Sequence, residues 1–337
     1  MRRVVAGACM ALAVLLSGCS SSSSTTVSSG PTGLLRLGFT LNLADAPALA
    51  GLQMGYFQAD LGRVTFQPVP FTSNQAEVEA LERGQLDAAY MDPVAAVAAW
   101  QSSPGGLIKI ISGSASGGAE LVVRGGISTG RQLARTTVTA PAGGAQQVAL
   151  DWWLHQQGAP PPASAPVTMS SVYLMNAFKS GRLAGAWEPA PADAEMAAEG
   201  GRVLLNEASL WPGGQFSTAV LVTTTRYLSA HPAAVNGLLK AQIQADTFLV
   251  TNRSDAEFEV NSELALLQGA KLPAAVLTQS FAQIAYTDNP LAASVLTEAQ
   301  HAAAAGILKP VQDLAGIYDL DPLNTLLRAA GQRTVSL

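Results

Sequence analysis

The stretch Gln75–Pro93, QAEVEALERGQLDAAYMDP, leaves this chain few ways to fold. Its first half spaces apolar residues along one face of a helix, Gly84 stops that helix, and Leu86–Met91 is an apolar run of strand length. Asp92-Pro93 opens the next helix. An Asp there accepts free amide N–H groups, and a Pro in the first turn lacks only an N–H that has no helical partner. Further along, Val172–Pro189, VYLMNAFKSGRLAGAWEP, repeats the pattern, with Gly181 answering Gly84 and Glu188-Pro189 answering Asp92-Pro93 one residue out of step. A single echo is not a solenoid, which needs several stacked repeats. It predicts two similar α/β lobes, each with a strand running into a helix N-terminus, where open α/β sheets hold their ligands. The plainer alternative is a common turn used twice.

The N-terminus sets the compartment. Arg2 and Arg3 precede the apolar run Val4–Leu16, too short to span a bilayer but suited to a signal-peptide core. Leu16-Ser17-Gly18-Cys19 resembles a bacterial lipobox, which makes residues 1–18 a lipoprotein signal and Cys19 the lipidated first residue of the mature chain. The Ser-rich segment 19–33 reads as a flexible tether. Cys9 falls inside the signal, so no disulfide or cysteine metal site is expected. The net charge of −5 and a 48% hydrophobic content describe a globular chain that does not bind nucleic acid.

Strands are expected at Leu35–Phe39, Val64–Val69, Leu107–Ile111, Thr136–Thr139, Val167–Met169 and Val203–Leu205. Pro68 and Pro70 place the second of these near an edge. Extended segments at Glu120–Arg124 and Ser217–Thr223 read as the two crossings between lobes. Lobe I then comprises 34–123 and 218–337, and lobe II 124–217. From Pro232 the chain reads as five helices, Pro232–Thr251, Glu257–Gly269, Pro273–Ala285, Leu291–Ala305 and Pro322–Ala330, with no clear strand.

Catalytic patterns are weak. His155, His231 and His301 stand far apart with no metal-binding spacing, and no metal or cofactor is expected. Gly113-Ser114-Ala115-Ser116-Gly117 carries Ala at the centre, where a nucleophile elbow needs Ser. Ser114 is read instead as a donor to a ligand.

Leu41-Asn42 with Ala46-Pro47-Ala48-Leu49, Gly84–Tyr90, Gly117–Val123, Gln146–Leu150, Ala186-Trp187, Leu210-Trp211-Pro212 and Asp288-Asn289-Pro290 together carry a resemblance. The chain resembles type II periplasmic solute-binding proteins of the nitrate/sulfonate/taurine group of ABC transporters, lipoprotein branch, a group that also includes thiamine-pyrimidine-precursor binders. The resemblance implies an α/β fold of two lobes with two hinge crossings and a helical C-terminal region. It further implies a monomer without catalytic activity that hands a small solute to an ABC permease and its ATPase, at the outer face of the cytoplasmic membrane. Relatives tend to carry Gly-Asn-Thr-Gln-Asp where this chain has Gly143-Gly144-Ala145-Gln146-Gln147, and Glu-Pro-Trp where it has Ala190-Pro191-Ala192. Both departures fall on loops expected to touch ligand.

In such a fold the ligand residues are expected to be Asn42, Asp45, Thr72, Ser73, Asp92, Ser114, Gly144, Gln146, Ser171, Trp187, Glu188 and Trp211. Helix starts near Asp45, Thr72, Gly144 and Ser171 favour an anion such as a sulfonate. Asp45, Asp92 and Glu188 oppose one, and Trp187 beside Glu188 suits a flat donor-bearing heterocycle such as a pyrimidine. A sensor or interaction lipoprotein of the same fold is the remaining alternative. The fold is shared with the pyrimidine synthase of thiamine formation, but that is a cytosolic enzyme and this chain carries an export signal.

Replacing Cys19 with Ala is expected to release the protein to the soluble fraction with its lobes unaltered, because the tether separates anchor from fold. Continued membrane attachment on fractionation would contradict the lipobox reading.

Overall fold

Alternating apolar side chains build the first sheet into the middle of the molecule. The computed structural model describes residues 33–159 and 171–337. The signal, the tether with Cys19, the connector from Pro160, the strand expected at Val167–Met169 and the side chain of Ser171 lie outside the described residues. The strands are β1 Gly33–Thr40, β2 Val64–Phe71, β3 Ala88–Met91, β4 Ile108–Gly117, β5 Ala119–Val123, β6 Val138–Thr139, β7 Gly185–Pro189, β8 Arg202–Asn206, β9 Ser217–Thr224 and β10 Ile284–Tyr286. Six pair in the order β10-β4-β9-β3-β1-β2, and four in a second sheet in the order β6-β7-β5-β8.

β1 pairs in parallel with both β2 and β3, so the chain must cross over between them. The helices Ala46–Gln53, Tyr56–Leu61 and Asn74–Glu82 make those crossings. Because side chains alternate across a strand, Ala88 and Tyr90 face one core with Leu35, Leu37 and Leu221. Ala89 and Met91 face the other with Ile108, Ile110, Val220 and Val222. The helix Pro232–Thr251 covers the first face, and Pro93–Gln101 with Ala292–Ala304 covers the second. Burial on both faces explains why these strands read as continuous apolar runs. β2 is an edge strand, where Pro68 and Pro70 need donate no ladder bond.

The echoed units take the same local form. Helices Asn74–Glu82 and Ser171–Lys179 are followed by Gly84 and Gly181 at φ 66° and 77°, a backbone state only glycine enters freely. They differ at the acid. Asp92 lies past the end of β3 and caps the helix Pro93–Gln101, whereas Glu188 lies within β7 and caps nothing.

Three elements depart from the sequence reading. β5, expected as a crossing, is paired on both sides in the second sheet, so the chain leaves the first sheet at Gly117-Gly118. β9, the expected return crossing, is a central strand between β3 and β4. Ile284–Tyr286, expected as the end of a helix, is β10, drawn into an antiparallel edge against Ala115–Gly117. Among the described residues no helix is long and apolar enough to cross a membrane.

β4 is irregular, its register against β9 shifting between Ile110 and Ser112 and again on either side of Ala115. Those shifts let Gly113 N–H donate to Asp288 O at 2.7 Å and Thr287 N–H donate to Ser114 O at 3.1 Å, tying β4 to the chain after β10. A Cβ at Gly113 would lie 2.6 Å from Thr287 O and 2.5 Å from Asn289 C, both backbone atoms. Gly113→Ala is therefore expected to cost about 1–3 kcal/mol and to lower the melting temperature by several degrees. Gly125→Ala, where a Cβ meets nothing within 4 Å, should leave it unchanged. Equal melts for the two variants would contradict this packing.

Candidate functional site

Between the two sheets lies a cleft of about 750 Å³, within the range of small-molecule sites. Thr40, Asn42, Thr72, Ser73, Asn74, Asp92 and Thr218 line it from the side of the first sheet, and Thr139, Gln146, Asn176, Glu188 and Glu195 from the second.

The turn after β1 is braced from within. Asn42 Nδ2 donates to Thr40 Oγ1 at 2.6 Å, and Asn42 Oδ1 accepts from Asp45 N–H at 3.1 Å. Asp45 Oδ2 in turn accepts from Thr40 N–H at 2.8 Å and Thr40 Oγ1 at 2.7 Å. Asp45 is 1% exposed and does not line the cleft. Burial pushes its carboxyl up to about 7 although the Thr40 donors favour the ionised form.

Ser73 caps the helix Asn74–Glu82, its Oγ accepting from Ala76 N–H at 3.3 Å. Asn74 Oδ1 accepts from Asp92 N–H at 3.3 Å and so ties this cap to the end of β3. Glu77, on the same helix, is fully buried with neither carboxylate oxygen bonded among the described residues.

Asp92 joins the two halves of the cleft. Its Oδ1 accepts from Val94 N–H at 2.8 Å and Ala95 N–H at 3.1 Å, capping the helix it precedes. Its Oδ2 accepts from Ala145 N–H at 2.9 Å, the start of the helix Ala145–Gln156. Burial raises this carboxyl to about 6, and the three amide donors restrain the shift. Gly144 permits the approach, since a Cβ there would stand 3.2 Å from Asp92 Oδ2. Gly144 thus serves the Asp92 contact and is not on the cleft wall, whereas Gln146 is.

Besides Asp45 and Gly144, three more expected ligand residues lie off the cleft lining. Ser114 is fully buried and donates to Ala44 O at 2.8 Å. Trp187 is fully buried, edge-on to Trp153 at 6.3 Å, with Nε1 donating to Glu207 Oε2 at 2.7 Å. Trp211 stacks on Phe216 at 5.7 Å and turns its Nε1 toward the same carboxylate at 3.4 Å. The Trp187–Glu188 pair cannot face one ligand, because consecutive strand residues point to opposite faces. Trp187 packs in the second sheet's core with Leu121, and Glu188 faces the cleft.

Glu188 is 9% exposed, and its carboxylate has no hydrogen-bond partner among the described residues. Burial and then the nearby Asp193 push it up to about 8. Thr139 and Thr218, 4% and 6% exposed, also line the cleft, and neither hydroxyl has a partner among the described residues. The sequence carries no signal for them: one lies in the two-residue strand β6 and the other in β9, whose sequence reads as a crossing. Lys271 on the cleft rim follows the helix Arg253–Gln268, remote in sequence from every motif.

Burial also pushes Asp193 and Glu207 up to about 8, the indole donors restraining Glu207. Asp45, Glu188, Asp193 and Glu207 thus hold their protons more tightly folded, at about 7, 8, 8 and 8, than at ordinary values of 3.8–4.5. Between those limits the folded chain binds more protons than the unfolded one, so stability is lost as pH rises. The melting temperature should fall from about pH 5 to pH 8. A flat or rising melt across that window would contradict these burials.

The chain matches the family model described as NMT1-like family over residues 29–262. Among curated proteins none matches it significantly. The nitrate-binding protein NrtA from Synechocystis PCC 6803 superposes with a TM-score of 0.74 at 14% identity, covering 88% of each chain. The alkanesulfonate-binding protein SsuA from Xanthomonas axonopodis pv. citri, bound to MOPS, gives 0.66 at 20% identity over 81% of this chain and 91% of that one. The aliphatic sulphonate binding protein SsuA from Escherichia coli gives 0.68 at 17% identity over 85% and 92%. At such identities the likeness is one of fold. With the family match spanning most of its length, the chain belongs to the NMT1-like family and has the type II periplasmic-binding-protein fold.

Proposed function

We propose that this protein is the solute-capturing component of an ABC importer, anchored through lipid on Cys19 to the outer face of the cytoplasmic membrane. A small polar organic solute enters the cleft between a lobe built on the first sheet and a lobe built on the second, and is passed to a permease and its ATPase. The observation that carries this reading is the cleft of about 750 Å³ with two buried, unpartnered hydroxyls, those of Thr139 and Thr218, on opposite walls. A desolvated polar group left without a bond costs about 1–3 kcal/mol, which a bound polar solute offsets.

Asn42, Thr72, Ser73, Gln146 and Glu188 stand beside these hydroxyls on the same lining and complete the set we assign to solute. Asp92 shares the lining but spends its oxygens on three backbone amides. The lining combines hydroxyls, amides and carboxylates with apolar walls from Leu41, Phe71, Leu174 and Leu272 and, among the described residues, includes no histidine or cysteine, which suits capture better than chemistry. The fold neighbours named for nitrate and sulfonate binding support the importer role.

Mass spectrometry of solute released from the purified full chain, followed by thermal melts with that solute, tests the reading. Ligand at about a hundred times its dissociation constant should add roughly 2.7 kcal/mol. Small-angle scattering should show a smaller radius of gyration on binding, as the lobes close. One unchanging shape and melt with every solute recovered would contradict it.

A further inference from the structure

The charge of the lining narrows the solute, on the premise that the cleft is a solute site. Three helix starts beside the cleft are already served by this chain's own oxygens, while Ala192–Ala198 and Ala274–Gln283 have no side-chain cap. Ser73 Oγ caps the helix Asn74–Glu82, and Asp92 caps both Pro93–Gln101 and Ala145–Gln156. An incoming anion would have to displace Asp92 from Ala145 N–H or lie beside it.

Among the described residues the lining carries Asp92, Glu188, Glu195 and Glu199 against a single base, Lys271. That base is turned aside: its Nζ lies 3.3 Å from Ser262 Oγ and 4.7 Å over the Phe258 ring. Glu199 is paired with Lys179. Glu188 is different, being nine-tenths buried, on the cleft wall and without a partner among the described residues.

We infer that the cleft takes a cationic organic solute, a protonated amine or amidine whose N–H groups donate to Glu188 while its carbon skeleton lies against Phe71, Leu174 and Leu272. A charged N–H donor is the strongest partner a buried carboxylate can accept, and an amidine fits both oxygens at once. The Thr139 and Thr218 hydroxyls accept or donate as the solute requires. Burial and the nearby Asp193 raise the proton affinity of Glu188, and a cation seated against it would favour its ionised form. The flat heterocycle loses its platform with Trp187 in the core, but a heterocycle bearing an amidine-like edge remains within the proposed class.

The test is calorimetric titration of the full chain with three probe sets: butylamine and benzamidine, methanesulfonate and nitrate, and uncharged uracil. Wild type is compared with Glu188→Gln, which keeps the shape and removes the charge, and with Lys271→Gln on the exposed rim. The expected result is binding confined to the amine or amidine set, weakened roughly 10–100-fold by Glu188→Gln. Lys271→Gln should leave that binding equal or tighter. Methanesulfonate or nitrate binding that Glu188→Gln preserves or strengthens and Lys271→Gln weakens would overturn the cation assignment and leave the solute-binding reading standing. Binding of uracil alone would overturn it equally. Failure of every probe, with no solute released from the purified protein on denaturation, would overturn both.

Discussion

The Asp92 carboxylate is where the two halves of this molecule meet, one oxygen serving the helix of its own sheet and the other the first helix of the opposite wall. A helix start carries about half a positive charge on unsatisfied amides, so one buried carboxylate placed between two of them is well matched. Gly144 leaves room for the contact, and the helix Ala145–Gln156 packs against the helix Ala292–Ala304, where Trp152 stacks on His301 at 5.1 Å. Leu43 N–H donating to Ala190 O at 3.0 Å ties the β1 turn to the segment after β7.

Around this point the chain buries carboxylates without burying bases. Asp45 is held by Thr40, Glu207 by two indole N–H groups and Asp92 by backbone amides. Neutral donors stabilise an ionised carboxylate only in part, so desolvation dominates and these groups retain protons to unusually high pH. Arg36 and Asp87 form the one ion pair with a deeply buried partner among the described residues, at 2.8 Å at the far end of β3. Glu188 has none of these supports; Glu77 and Glu298 lack them too, but Glu188 lines the cleft and they do not.

Local features were legible because they depend on neighbours in sequence. The helix Pro232–Thr251 has the bounds its Pro and periodicity predict, and Gly84 and Gly181 stop their helices as expected. Asp92-Pro93 reads as a cap and is one. The errors fall where partners are distant. Ile284–Tyr286 has a helix-like apolar context, and only pairing with Ala115–Gly117 makes it a strand. β5 and β9 read as extended segments, but whether such a segment crosses between sheets or lies within one depends on neighbours far along the chain.

The amino-acid order alone determined the α/β class, the echoed helix–glycine–strand unit and the acid at each unit's end. Turn chemistry, strand period and helix caps are set within a few residues. It could not decide what each acid does. Asp92 and Glu188 hold equivalent places in the echo, yet the one-residue offset keeps Glu188 inside a strand, facing the cleft with its back to Trp187. Asp92, one step past its strand, turns onto two helix starts, one of which only the folded chain brings within 2.9 Å. Ser114 meets its partner, Ala44 O, only where the turn after β1 packs on β4, and Asp45 turns inward onto the Thr40 amide and hydroxyl within that same turn.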